Sequence, residues 1–231
     1  MTNGNERLAE LAPGRWAHAS GALWLSNVRT LVMADVHLGY GWALRRRGQL
    51  GPVSDDKVCQ KLMAVVEELI PDTIVFLGDL VHAPRPAPPE RSAVENTIHS
   101  LSHRARIVVV LGNHDRGLVK DFPHLPAEVC REWHSPGLIA VHGDREIPKG
   151  EHVIAGHIHP ALGVSDHAGA SHRMPVFVAG DTITLLPAFS PLASGVDIRG
   201  GLRIRVGDAR IVAASGKRAV NLGLLSRIRL I

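Results

Sequence analysis

Residues 54–79 read SDDKVCQKLMAVVEELIPDTIVFLGD, and two periodicities meet within them. Val58, Leu62, Val65, Val66 and Leu69 recur at helical spacing, which gives a helix from Ser54 to Leu69 one apolar face. Ser54 is its expected N-cap, Asp55 and Asp56 fall in the first turn, and Pro71 stands just beyond the end. Thr73 to Leu77 then makes a run of strand length, closed by Gly78-Asp79. A helix feeding an unbroken apolar strand is the grammar of a β-α-β unit whose strands are buried on both faces. The grammar extends both ways. Upstream, Ala22 to Leu25 and Leu31 to Ala34 read as short strands split by Ser26-Asn27, leaving Asp35 just past a strand end. Downstream, a Pro-rich loop from Pro84 to Pro89 and a helix from about Arg91 to His103 lead into strand Ile107 to Leu111 and then Gly112-Asn113-His114-Asp115. Loops at the carboxyl ends of parallel strands carry function, so three polar clusters converge on one edge.

Beyond Asp115 the helical period fades and strands are expected at Leu138 to Val141, His152 to Ala155, Val176 to Val178, Thr182 to Leu186, Leu202 to Val206 and Arg210 to Ala213. Two sheets packed face to face with helices outside would bury them. The 231 residues, 45% hydrophobic and 4% aromatic, imply one domain over residues 1–231 with a core of Val, Leu, Ile and Ala. Cys59 and Cys130 fit no disulfide framework or thiolate metal spacing, and no eighteen apolar residues run together. A cytoplasmic protein without membrane contact is expected. The net charge of +4 is uneven: a β-rich segment from Arg199 to Ile231 carries +7 and the rest −3. Such a basic tail suits a polyanionic partner or simply a solvated edge.

Fourteen histidines are present, and His37, His114, His142, His157 and His159 lie beside Asp, Asn or Gly at expected strand ends. Imidazole with carboxylate suits Mn²⁺, Fe²⁺ or Zn²⁺. In Asp35-Val36-His37, as in His157-Ile158-His159, alternate residues of an extended segment would point the same way and grip one ion. Gly78, Gly112 and Gly156 precede Asp79, Asn113 and His157, where a glycine lets the backbone come close to an ion or phosphate.

Taken in order, Asp35-Val36-His37, Gly78-Asp79-Leu80-Val81-His82, Gly112-Asn113-His114-Asp115, Val141-His142-Gly143-Asp144 and Gly156-His157-Ile158-His159 resemble the calcineurin-like metallophosphoesterase superfamily. The resemblance implies an α/β fold, a four-layer α/β/β/α sandwich of two mixed β-sheets flanked by helices. It also implies two divalent metal ions. One would be held by Asp35, His37, Asp79 and His159, the other by Asp79, Asn113, His142 and His157, with Asp79 shared to offset the repulsion of the two cations. Manganese is the metal that the resemblance favours; zinc and iron suit the same ligands. His114 would serve the leaving-group oxygen as general acid, with Asp115 orienting its imidazole. His82 is expected to contact substrate or a ligand rather than a metal. His134, in a loop before Pro136, is the rival to His142, and His18, His99, His103, His124, His152, His167 and His172 read as surface or core residues.

Within the superfamily, Leu31-Val32-Met33-Ala34-Asp35-Val36-His37-Leu38-Gly39, Ala43-Leu44-Arg45-Arg46-Arg47-Gly48 and Leu185-Leu186-Pro187-Ala188-Phe189-Ser190 with Gly195 are similar to the bacterial ligase-associated DNA-damage-response metallophosphoesterases. That similarity implies DNA phosphodiester cleavage in repair, with a DNA ligase, a helicase or a nuclease as partners. Tyr40 departs from the group, which has a basic residue there. Arg45, Arg46 and Arg47 could engage backbone phosphates, and Tyr40 and Trp42 could stack on an unpaired base or pack beneath the loop. The rival readings are a small-molecule phosphodiesterase or phosphatase, for cyclic nucleotides or nucleotide-derived esters, and a scaffold that has lost catalysis; the intact ligand set argues against the scaffold.

Overall fold

The computed structural model describes residues 6–50, 55–83, 85–165 and 171–228; Ser54, Pro84 and His167 lie outside them. The first sheet runs in chain order through β1 (Leu8–Ala12), β2 (Arg15–His18), β3 (Leu23–Leu25), β4 (Thr30–Met33), β5 (Thr73–Leu77), β6 (Arg106–Val110) and β7 (Glu128–Cys130). Its first four strands form an antiparallel meander, and β4 to β7 are parallel. Among the described residues four helices punctuate this half: α1 (Tyr40–Arg46), α2 (Asp56–Leu69), α3 (Pro88–Ser102) and α4 (Leu118–Asp121).

The second sheet comprises β8 (Glu132–Ser135), β9 (Leu138–Val141), β10 (His152–Ala155), β11 (Pro160–Ser165), β12 (Ser171–Ala179), β13 (Ile183–Leu185), β14 (Val196–Asp197), β15 (Arg210–Ala214) and β16 (Ala219–Leu224). Its order is β14-β11-β12-β13-β10-β9-β8, with β15 on β12 and β16 on β15. β9, β10 and β13 are parallel neighbours, so their carboxyl ends share one edge.

The period-2 alternation of the central strands sorts residues into layers. On one face of the first sheet Leu31, Met33, Ile74, Phe76, Ile107 and Val109 meet Val58, Leu62, Val65 and Val66 of α2 and Val94, Ile98 and Leu101 of α3. Full burial of each such side chain contributes roughly 1.5–3 kcal/mol. On the other face Val32, Ala34, Val75, Leu77, Val108 and Val110 meet Ala140, Ile154, Phe177 and Val212 of the second sheet. That is the two-sheet sandwich expected from the sequence. The outer layer of the second sheet is formed by extended chain and short 3-10 turns, including Ile198, Leu202, Ile204, Val206 and Leu225.

The segment Leu202 to Val206, expected as a strand, forms none. Leu202, Ile204 and Val206 do face inward while Arg203 and Arg205 are exposed, but among the described residues no neighbouring strand pairs with them. Alternation reports one-sided burial, which an unpaired covering segment satisfies as well as a strand does. Conversely, His134 lies on edge strand β8 rather than in a loop.

Candidate metal centre

Three adjacent parallel strands of the first sheet end just before Asp35, Asp79 and Asn113, and two of the second end just before His142 and His157. The sandwich therefore presents all these residues along one rim. Backbone bonds lock the loops together: Asp35 N–H donates to Gly78 O (3.1 Å), His37 N–H to Asp79 O (2.9 Å) and Gly156 N–H to His142 O (2.9 Å). Ligand carboxylates add to the lacing, since Asp79 Oδ1 accepts from His114 N–H and Asp35 Oδ2 from His157 N–H, both at 2.9 Å.

Asp35, His37, Asp79, His157 and His159 all adopt left-handed backbone, with φ between 50° and 64°. Such a conformation costs a non-glycine residue about 1–2 kcal/mol. Concentrated strain of this kind marks a functional site. It also corrects the extended-segment reading of Asp35-Val36-His37 and His157-Ile158-His159: the paired residues converge because the backbone turns at both, with Val36 buried between the first pair. The glycines have a related use. A Cβ at Gly78 would lie 2.1 Å from His142 Nδ1, and one at Gly112 would lie 2.2 Å from Asp79 Oδ1, so both make room for ligand side chains.

Among the described residues three groups result, each with its donor atoms mutually within 4.8 Å: His37, His82 and His114 on the rim, without a carboxylate, and the two carboxylate-bearing clusters Asp35, His37 and His159, and Asp79, His142 and His157. Asp79 joins them, with Oδ2 3.9 Å from His37 Nε2 and Oδ1 3.5 Å from His142 Nε2. Asn113 Oδ1 stands 3.2 Å from His142 Nε2. His142 itself is held by a contact of Nδ1 with Leu77 O at 3.1 Å. Asp35 Oδ1 is buried and accepts no well-directed hydrogen bond, although His159 Nε2 stands 2.9 Å away. Two donors of one ion with bonds of 2.0–2.2 Å stand roughly 3 Å apart, so this spacing fits shared coordination. The surroundings act on the two imidazoles of His142 and His37 in opposite senses. Burial works against charge on His142, but the Asp79 and Asp35 carboxylates outweigh it and lift its pKa to about 9. Burial would raise Asp79, yet His142 and His114 hold it down to about 2. Burial lowers His37 to about 4, which favours the neutral imidazole that a metal requires. Two buried carboxylates that draw a proton onto His142, beside the neutral imidazole of His37, form a site for positive charge by chemistry as well as by spacing, and a bound cation would take the place of the His142 proton.

His114 Nε2 lies 3.9 Å from Asp79 Oδ2, on the rim of this site, and its Nδ1 contacts the backbone carbonyl of His82. The orienting contact expected from Asp115 is absent from that arrangement. Asp115 is buried, and its oxygens accept from Val81 N–H (3.1 Å), Leu80 N–H (3.3 Å) and Gly112 N–H (3.0 Å), which ties the Asp79 loop to the Asn113 loop. His82 packs edge-on to His37 and is stacked on Tyr40 with ring centroids 3.9 Å apart. One face of Tyr40 is thereby taken. Trp42 lies beneath the guanidinium of Arg45 at 5.5 Å.

Other histidines stand elsewhere. His134 pairs with Glu132 at 3.0 Å on an exposed strand. His18 is fully buried against Ser20, and His152 contacts Asp181 O and Thr184. The tail arginines are also distant from the rim: Arg205 lines a cavity with His152, Val153 and Ile183, at the starts of the strands whose far ends carry the site. Arg199 is bound by Asp197 at 2.8 Å, and Arg218 by Glu6 at 2.9 Å.

Lys61 is a site residue that the sequence reading missed. Its ammonium donates to Phe189 O at 2.7 Å and lies 4.0 Å from the Phe189 ring centre. Phe189 N–H in turn donates to Ala34 O (2.8 Å) and Ser190 N–H to Asp35 O (3.2 Å), so Lys61 fastens the segment that backs Asp35. Its place beside Leu62, at the margin of the apolar face of α2, was the available signal.

Two cavities flank the cluster. One, of about 240 Å³, is lined by Arg46, Arg47, His82 and His114. The other, of about 390 Å³, reaches the ligands through Gly112 and His142 and is lined by Arg116, Arg131 and Arg145.

Comparison with known proteins agrees with this geometry. The calcineurin-like phosphoesterase family profile matches residues 28–178. Among solved structures, a nuclease MPE of Pseudomonas putida superposes with a TM-score of 0.73 at 25% identity, over 93% of this chain and 98% of that one. Yfce, a phosphoesterase from E. coli, gives a TM-score of 0.41 at 14% identity, over 80% and 86% of the two chains. No match is found among curated proteins. With the profile spanning well over half of its length and the family's fold around its metal-type clusters, the chain belongs to the calcineurin-like phosphoesterase family.

Proposed function

We propose that this phosphoesterase is a dinuclear phosphodiesterase acting on DNA, in which Asp35, His37, Asp79 and His159 hold one cation and Asp79, Asn113, His142 and His157 the other. The observation that carries the choice of a polymeric diester is the pair of arginine-lined cavities on either side of the ligands. A monoester needs room for one phosphate and one leaving group, whereas a nucleic-acid strand continues away from the scissile phosphate in two directions and meets Arg and Lys at its phosphates. The structural likeness to a bacterial nuclease supports the same reading.

When bound, two divalent cations supply Lewis acidity and a water of lowered pKa, in manganese, zinc or iron form. The residues of this chain do the rest. Asp79 offers one oxygen to each side of the centre and keeps the ligand groups in register. His114 is turned by the His82 carbonyl so that Nε2 faces the rim, where it donates to the departing oxygen. Arg47 meets the strand beyond that oxygen, beside Arg46, whose guanidinium is also tied to the buried Glu90 at 3.2 Å. Asp115 maintains the loops on which Asp79 and Asn113 sit. A ligase, helicase or other nuclease of a repair system is the partner class in keeping with this activity.

The test is hydrolysis of bis-p-nitrophenyl phosphate, single-stranded DNA and duplex DNA by protein loaded with Mn²⁺, Zn²⁺ or Fe²⁺, beside chelated protein and a His114→Ala variant. DNA cleavage that chelation abolishes and His114→Ala lowers by on the order of 10²–10⁴ is expected. Cleavage of the small diester without any DNA would move the reading to small-molecule esters such as cyclic nucleotides.

A further inference from the structure

Ligation does not account for the larger cavity beside His142. Its three arginines come from separate connections, each set next to the site: Arg116 follows His114 by two residues, Arg145 follows His142 by three, and Arg131 is the link between β7 and β8 where the chain passes from one sheet to the other. Glu132, Asp144 and Glu146 line the same cavity and would neutralise it if they paired with these arginines. Glu132 instead contacts His134 at 3.0 Å, and Asp144 stands 4.0 Å from Arg145. Among the described residues no carboxylate lies within ion-pair distance of Arg116 or Arg131, and both side chains are exposed. Two guanidinium groups are thus free beside a cavity that opens on the ligands.

The cavities are also not equivalent. His114 lines the smaller one and approaches Asp79 Oδ2, whereas His142 lines the larger and approaches Oδ1. In an in-line displacement the leaving oxygen departs on the side of its proton donor, so the leaving strand runs past His114 into the smaller cavity. The other ester arm, which keeps the phosphate, must exit elsewhere, and the larger cavity, lined by His142 and not by His114, is the other arginine-lined opening beside the ligands.

We infer that the cavity lined by Arg116 and Arg131 is a phosphate subsite for the retained strand, binding the backbone phosphate one nucleotide from the cleaved bond. The inference rests on the phosphodiesterase reading. Arginine suits the task because its planar fork presents two parallel N–H donors to a phosphate. Such a subsite makes the enzyme prefer a strand that continues beyond the retained nucleotide over a diester that ends there.

The test uses metal-loaded enzyme and p-nitrophenyl esters of thymidine. Thymidine 5′-(p-nitrophenyl phosphate) is compared with its 3′-phosphorylated form, and thymidine 3′-(p-nitrophenyl phosphate) with its 5′-phosphorylated form. In one of the two pairs the added phosphate should lower KM about tenfold at low salt, as a charge-assisted contact warrants. In an Arg116→Ala, Arg131→Ala double variant that advantage should fall below about twofold, while Arg205→Ala, at the far edge, should keep it. Hydrolysis of all esters with no advantage in either pair, or an advantage that survives the double variant, overturns the subsite alone. Failure of the wild-type enzyme to hydrolyse any of them overturns the phosphodiesterase reading and the subsite together.

Discussion

Gly78→Ala tests whether the close packing of the metal-side loops has the purpose assigned to it. The added Cβ would fall 2.1 Å from His142 Nδ1, 2.3 Å from its Cγ and 2.7 Å from its Cβ. Carbon contacts settle at about 3.5–4.0 Å, so the imidazole must move by more than about 1 Å. It has little freedom to do so: its side chain is 1% exposed and touches Leu77 O at 3.1 Å and Asn113 Oδ1 at 3.2 Å. Alanine at a φ of +77° adds about 1–2 kcal/mol of backbone strain, and overpacking adds roughly 1–3 kcal/mol. The sum, about 2–5 kcal/mol, is below the typical 5–15 kcal/mol of a folded domain. The variant should therefore fold with its His142 displaced, and a shift of about 1 Å in a positioned group costs on the order of 10² in rate. Gly216→Ala is the control, since its φ is +82° but nothing lies within 4 Å of the added atom. It should lose the strain energy alone. The assay is kcat/KM on bis-p-nitrophenyl phosphate with metal affinity by calorimetry and stability by denaturant titration. A folded Gly78→Ala protein with wild-type turnover and metal affinity would refute the reasoning.

Further expectations follow from single residues. Asp115→Asn replaces a carboxylate that accepts three buried amides with a group having one acceptor oxygen, and each stranded donor costs about 1–3 kcal/mol, so Tm should drop by several degrees; an unchanged melt would contradict the bracing role. Burial lowers the Lys61 ammonium from 10.5 to about 8, so the folded chain binds fewer protons than the unfolded one between those values and stability should rise as pH climbs through that window. Denaturant titrations at pH 7.5, 9 and 10.5 should show this rise in the wild type and lose part of it in Lys61→Met; identical slopes would exclude Lys61. Adding Mn²⁺ or Zn²⁺ at about 100 times its Kd should stabilise the protein by about 3 kcal/mol, and chelator should reverse the gain; a melt indifferent to both would argue against a metal site built into the fold.

The fold was legible where burial is two-sided. The run Thr73 to Leu77 and the apolar stripe of α2 each have one stable placement, and both elements form with those boundaries or within two residues of them. Edge elements were not legible. β1 and β16 are short, partly solvated runs, and much of their stability comes from pairing with chain distant in sequence, as when Ala219 N–H donates to Glu6 O. Leu202 to Val206 failed in the opposite direction, since its alternation came from covering a sheet. At the site, the ordered Asp, Asn and His residues were legible because ligand chemistry restricts residue type, and the structure brings them together. The partner of His114 was not, because a backbone carbonyl has no signature in sequence; nor was the left-handed backbone at Asp35, His37, Asp79, His157 and His159, which no residue type announces.

The most direct test of the central claim is metal stoichiometry by calorimetric titration and elemental analysis, carried out on wild-type protein and Asp79→Asn with hydrolysis followed on the same samples. Two ions per wild-type chain, with at least one lost and hydrolysis abolished in Asp79→Asn, is the expected result. A single ion in the wild type, or two retained ions with undiminished hydrolysis in the variant, would contradict a centre joined through Asp79.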